Sequence, residues 1–222
     1  MDDPALSPAP PVVVATGPVD VARDWAAHHA QLLGAPVEVR PPDRTGALPP
    51  GGLLVLAVPG NGPTGVRRTL LAVIDHAPCD VVVVRGTTAP AHRRITALIT
   101  GVDDDPVLVR AAALADRWGA SLRVLHAGPP LPVRADDPTW PLAHADRALR
   151  GVRHTSVLAR MHPSEAIARC ADADLLVVGG SGPTTRAALH HARCPVYVTR
   201  RAPVVVPRRV TALPRHPVGG RR

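Results

Sequence analysis

LLVLAVPGNGPTG at residues 53–65 runs into DHAPCDVVVVR at 75–85, and LLVVGGSGPTT at 175–185 runs into HHARCPVYVTR at 190–200. Each passage reads as an apolar strand, a glycine-rich turn, a short helix ending in His-Ala-x-Cys, and a second valine-rich strand. The repeat extends upstream. VVVATG at 12–17 matches ALITGV at 97–102, each leading into an alanine-rich helix, and LLGAPVEV at 32–39 matches RWGASLRV at 117–124. An internal repeat constrains the architecture more than any single motif. It predicts two α/β units in tandem, each with a glycine turn where a phosphate can sit.

Periodicity and breakers divide the units further. In the first, strands are expected at 12–16, 37–39, 53–58 and 81–84, with helices at 19–33 and 64–76. RPPDRTGALPPGG at 40–52 has no periodicity and reads as a loop. In the second, strands are expected at 95–101, 121–126, 152–159, 175–178 and 196–199. Helices are expected at 106–118, about 142–149, 163–171 and 184–192, with a proline-rich loop at 128–141. The domain plan is a disordered end at 1–11, a first, truncated unit at 12–86, a second unit at 93–201 and a basic tail at 202–222. VVV at 204–206 is a candidate extra edge strand. Strands alternating with helices imply right-handed βαβ crossovers and parallel sheets covered on both faces, which suits near-continuous Val/Leu/Ala strands.

At 222 residues the chain has room for two domains of about 100 residues each. All 26 basic residues are Arg and Phe is absent, a composition that points to a very GC-rich bacterial genome. The net charge of +8 is a property of the tail: residues 200–222 hold seven Arg and no acid, leaving about +1 on the rest. Such a tail can recruit nucleic acid or another anionic partner. A solvated, disordered end explains the same composition and is preferred. Three cysteines make no disulfide framework, and no secretory h-region opens the chain. Apolar runs are strand-length, so no transmembrane helix is expected, and a cytoplasmic setting is the default.

The ordered motifs resemble the universal stress protein family. The residues that carry the resemblance are VDDDP at 102–106, RMHPSEAIARCADADLLVVGG at 160–180 and DHAPCDVVVV at 75–84, and it spans nearly all of 12–200. It implies, for each unit, a doubly wound sheet of strand order 3-2-1-4-5, the adenine nucleotide alpha hydrolase-like arrangement. Adenine nucleotide then binds at the carboxyl edge of the strands, at a topological switch point. The first unit lacks the third strand, leaving 2-1-4-5. The edge exposed at its second strand then needs blunting, and Pro41, Pro42, Pro49 and Pro50 are placed to supply it.

The family's ATP-binding branch carries Gly-x2-Gly-x9-Gly-Ser/Thr, which brings backbone N–H groups and a hydroxyl to phosphate. Neither copy here keeps that spacing. In the second unit Gly179 and Gly180 stand directly before Gly182-Pro183, and Pro183 has no N–H donor or hydroxyl. In the first, Gly60, Gly62 and Gly65 form the turn, but ten positions past Gly65 stands Asp75. The adenine-side aspartate is matched by Asp103; the first unit has Gly17-Pro18 there.

Other chemistry is sparser. His76 with Cys79, and His190 and His191 with Cys194, have metal-compatible spacing, but zinc needs about four ligands. Cysteines buried between helix and strand, with histidines on helix C-terminal carbonyls, explain the pattern better. Asp103, Asp104 and Asp105 suit Mg²⁺ or a helix N-cap equally. His144 and Asp146 near Trp140 read as surface-helix residues. No Ser/His/Asp order, P-loop or carboxylate pair is present, so no enzyme activity is assigned.

The expected function is therefore a stress-response accessory protein with degenerate nucleotide sites and no cofactor. The alternative is an ATP or AMP sensor acting through Asp103, Gly179, Gly180 and Gly182. Expected partners are a second copy docking through the final strands, or another protein. An adaptor role through the Arg tail carries less weight.

Overall fold

The computed structural model describes residues 11–15, 20–40, 48, 51–58, 68–85, 92–128 and 139–200. Elements follow the repeat. The first half has β1 (Val12–Ala15), α1 (Asp20–Leu33), β2 (Val37–Arg40), β3 (Leu53–Ala57), α2 (Arg68–His76) and β4 (Asp80–Val84). The second has β5 (Arg94–Ile99), a 3-10 turn (Val102–Asp104), α3 (Asp105–Trp118), β6 (Ser121–Gly128) and α4 (Trp140–Ala148). It continues with β7 (His154–Arg160), α5 (Pro163–Ala168), β8 (Leu175–Gly179), α6 (Pro183–His191) and β9 (Val196–Thr199). The first helix of each half ends where glycine allows a left-handed residue: Gly34 has φ +62° after α1, and Gly119 has φ +58° after α3.

The strands form one nine-stranded sheet in the order β2-β1-β3-β4-β9-β8-β5-β6-β7. Renumbered within the second half, β7-β6-β5-β8-β9 is 3-2-1-4-5; among the described residues the first half is 2-1-4-5, without a third strand. Every pairing is parallel except β4 with β9, where Val81 faces Val198, Val82 faces Tyr197 and Val83 faces Val196. The final strands of the two copies thus pair within one chain, and the two parallel sheets are continuous.

Both faces are covered. One core layer lies under α1, α3 and α4 and contains Trp25, Val82, Val84, Ile99, Leu108 and Tyr197. The other lies toward α2, α5 and α6 and contains Ile74, Val81, Val83, Ile167, Leu189 and Val198. Burial on both faces is why these strands are apolar at nearly every position. At full burial each Val or Leu is worth about 1.5–3 kcal/mol, so the sheet needs few polar devices.

The end regions 1–10 and 201–222, which include residues 204–206 and the arginines of the tail, lie outside the described residues. So do Gly17, Pro18, the glycine turn carrying Gly60, Gly62 and Gly65, and the four prolines expected to blunt the β2 edge.

Candidate functional site

In a doubly wound sheet the crossovers leave in opposite directions at the switch point, opening a crevice beyond the carboxyl ends of the strands. In the second half that point lies between β5 and β8. A cavity of about 540 Å³ opens there, with Thr100, Gly179, Gly182 and Thr199 among its lining residues. Ile74, Asp75, Ala77 and Cys79, from the end of α2 and the approach to β4, form another wall. They reach it because β4 runs antiparallel to β9, so the start of β4 lies beside the end of β9. The site of the second half is therefore built partly from the first.

The glycine turn is held by its own polar groups. Thr185, fully buried, donates its hydroxyl hydrogen to the carbonyls of Gly180 at 2.8 Å and Gly179 at 3.2 Å. The Gly180 N–H donates to Thr199 O at 3.1 Å, and the Thr199 hydroxyl to Val178 O at 3.2 Å. Gly180 has φ +63°, a left-handed conformation that favours glycine. At Gly179 a Cβ would lie 2.9 Å from Val107 Cγ2 and 3.1 Å from Asp104 Oδ1, too close for any side chain. Gly182 differs: it is the N-cap of α6, with nothing within 4 Å of a Cβ. The first turn of α6 then walls the cavity through Pro183 and Thr184, with no side chain capping it. Pro183 contributes no N–H to that helix end.

The acidic triplet divides three ways. Asp103 is exposed and is not among the lining residues. Asp104 is 5% exposed, and its Oδ2 accepts from Thr100 N at 2.6 Å, Thr100 Oγ1 at 2.8 Å and Gly101 N at 3.1 Å. Asp105 pairs with His144 Nε2 at 2.7 Å. Of the residues named from the sequence, Gly179, Gly180 and Gly182 line the cavity and Asp103 does not, while Thr100 and Asp104 do. A single Mg²⁺ on the triplet has no converging ligands, and among the described residues no group of three metal-ligating side chains occurs. Ser181, Thr184 and Arg200 also line the cavity and were not singled out from the sequence. The signal for Arg200 was there: VVVVR and VYVTR end the two repeats alike.

Arg85, the first-half counterpart of Arg200, is 6% exposed. Its Nε and Nη2 have no hydrogen-bond partner among the described residues, and burial pushes its guanidinium pKa down.

The histidine and cysteine pairs read as structural groups. His76 Nδ1 lies 2.7 Å from Ala72 O, one turn back on α2. All three cysteines are buried free thiols. Burial pushes Cys79 up to about 11 and Cys194 up to about 12, so neither is a thiolate near neutrality.

These features define a doubly wound α/β protein with its cavity at a switch point. No family model matches the sequence, and no curated protein does. Solved structures do match. A universal stress protein from Archaeoglobus fulgidus DSM 4304 superposes with a TM-score of 0.57 at 14% identity, over 86% of this chain and 84% of that one. A putative universal stress protein from Pseudomonas aeruginosa UCBPP-PA14 gives 0.52 at 17% identity, over 86% and 82%. The cytoplasmic domain of a prokaryotic cation chloride cotransporter gives 0.55 at 15% identity, over 86% and 84%. At these identities the likeness is one of fold. The fold is that of the universal stress proteins, as the sequence motifs implied. Among the described residues no helix is long and apolar enough to cross a membrane.

Proposed function

We propose that this chain is a stress-response accessory protein, cytoplasmic, whose nucleotide sites are degenerate. One observation carries the reading: the Thr185 hydroxyl and the Asp104 carboxylate, two buried polar side chains at the second-half turn, are already engaged within the fold. The Thr185 hydroxyl is spent on Gly179 and Gly180, and Asp104 Oδ2 on Thr100 and Gly101. Pro183 removes a donor where a triphosphate would need one. The cytoplasmic domain of the cation chloride cotransporter supports an accessory role, because that protein carries the same fold as one part of a larger machine.

A second reading, an adenine nucleotide sensor, draws support from the cavity itself, whose volume of about 540 Å³ falls in the usual range of ligand pockets. Ser181, Thr184 and Arg200 are the side chains with which it would meet a short phosphate chain. Melting in the presence of ATP and of AMP decides between the two. A ligand at 100 times its dissociation constant adds about 2.7 kcal/mol, several degrees for a protein of this size. The degenerate-site reading expects no shift with either nucleotide and none released by acid from the purified protein. A clear upward shift that is lost in Gly182→Val overturns it in favour of the sensor. The stress role itself is tested by gene deletion: a growth defect confined to stress supports it, and none under any stress opposes it.

A further inference from the structure

Helices α1 and α3 are both 14 residues long, cover the same face of the sheet and are each followed by a left-handed glycine. They therefore correspond residue for residue across the β4–β9 seam, but they differ in bulk. Trp118, the last residue of α3, packs against three rings of α1: Trp25 at 6.1 Å, His28 at 6.1 Å and His29 at 5.9 Å between centroids. On the other side of the seam the same four positions are Leu33, Arg110, Ala113 and Leu114. Aromatic rings fill one side. On the other a cavity of about 220 Å³ opens between the two helices, where close-packed interiors leave few voids larger than a water.

Its floor and its rim differ in chemistry. Val12 and Leu53, the first residues of β1 and β3, line it together with Leu114 and Tyr197, and all four are buried. Arg110 and Arg117 line it from exposed positions on one face of α3, two turns apart. Arg110 Nη2 is held by Asp80, whereas Arg117 makes no ion pair among the described residues. The buried His29 ring also lines the cavity, with its Nδ1 unpartnered among the described residues. Burial first, then Arg110, His28 and Arg117, push His29 down to about 4. The ring is thus neutral near pH 7, and the charges acting at the cavity are the two guanidinium groups.

An apolar floor beneath two fixed positive charges selects an organic anion. Guanidinium groups match the planar fork of a carboxylate, and the floor asks for an apolar body rather than a bare inorganic ion. Size narrows the choice further. A cavity of about 150 Å³ is enough to hold benzene, so about 220 Å³ admits a single ring or a branched chain bearing one carboxylate. Pockets for larger ligands begin at roughly 300 Å³, so a nucleotide does not fit. The cavity shares no lining residue with the one at the switch point.

We propose that the α1–α3 cavity binds a small organic acid, its carboxylate on Arg117 and Arg110 and its apolar body over Val12, Leu53, Leu114 and Tyr197. This inference is independent of nucleotide binding. It is tested on the full chain by isothermal titration calorimetry with benzoate and 3-methylbutanoate, one flat body and one branched. Benzyl alcohol and acetate serve as controls. At least one of the two acids is expected to bind with a dissociation constant of about 1 mM or lower. Benzyl alcohol lacks the charge and acetate lacks the body, so each should bind about tenfold more weakly or worse. Arg117→Gln removes an exposed charge and no buried contact, and should weaken the acid about tenfold or more. Leu33→Trp installs the residue that the other repeat carries, and should abolish binding by filling the cavity. Melting curves show whether the variants fold, and if Leu33→Trp does not, Arg117→Gln alone decides. No binding of either acid up to about 10 mM overturns the proposal. So does either control binding as tightly as the acids. Acid binding unchanged in Arg117→Gln, or retained in a folded Leu33→Trp, places the acid elsewhere and overturns it as well.

Discussion

Tyr197 on β9 donates its hydroxyl hydrogen to Asp80 Oδ2 on β4 at 2.9 Å, tying the two repeats together at their one antiparallel seam. The same carboxylate receives Arg110 Nη2 from α3 at 2.8 Å and the Arg200 N–H at 2.8 Å. Arg110 lies over the Tyr197 ring at 5.9 Å. The β4–β9 ladder is three residue pairs long and valine-rich, and apolar edges of this kind pair with whatever reaches them. Asp80 makes the intrachain partner specific.

Tyr197→Phe is therefore expected to cost about 1.5–3 kcal/mol near neutrality, the worth of one hydrogen bond to a charged acceptor. The larger signature lies at alkaline pH. Burial, and then Asp80, push the Tyr197 phenol well above its ordinary 10. The unfolded chain loses that proton first, so stability is intact below pH 10 and falls as pH rises above it. Chemical denaturation between pH 8.5 and about 11 should show a shallower decline for Tyr197→Phe than for wild type. Parallel declines would mean that Tyr197 does not carry the effect.

The glycine turn separates two roles. Gly179→Ala forces a methyl to 2.9 Å from Val107 Cγ2, and a buried overpacking of this kind costs about 1–3 kcal/mol. Gly182→Ala meets open space at φ −68°, and should melt within about 0.5 kcal/mol of wild type. Equal melting temperatures for the two variants would show that the Val107 contact relaxes, and that Gly179 is not required by packing.

The strands were legible because burial on both faces makes them continuous apolar runs: 196–199 was read to the residue, and 175–179 to within one. Two things were hidden. Neighbouring aspartates in a 3-10 turn point about 120° apart, so spacing cannot tell that Asp103 faces solvent while Asp104 turns inward. Nor does any local pattern reveal that residues 74–79 of one repeat wall the cavity of the other, since that follows from the direction of β4 against β9.

The thiols give a chemical check on burial. Cys79, Cys170 and Cys194 are buried, and burial raises the pKa of each. The thiolate is the reactive species, so a disulfide reagent at pH 8 should leave all three untouched in the native protein and modify three after unfolding. Rapid native reaction at one site would mark that cysteine as exposed by local opening.

The acid side should be governed by His29. This residue of α1 is 2% exposed, stacked on Trp25 with ring centroids 4.9 Å apart and edge-on to Trp118 at 5.9 Å. Among the described residues its Nδ1 has no hydrogen-bond partner. Burial, and then Arg110, lower its pKa from 6.5 to about 4. Below pH 6.5 the unfolded chain takes up a proton that the folded chain refuses, so stability falls as pH drops. The fall levels off below about pH 4 and totals roughly 3 kcal/mol. His29→Phe keeps an aromatic ring against Trp25 and has nothing to protonate. Between pH 7.5 and 5 its unfolding free energy should fall distinctly less than that of wild type, whatever its value at neutrality. An equal fall in both proteins would place the acid sensitivity on another group and show that His29 is protonated without unfolding.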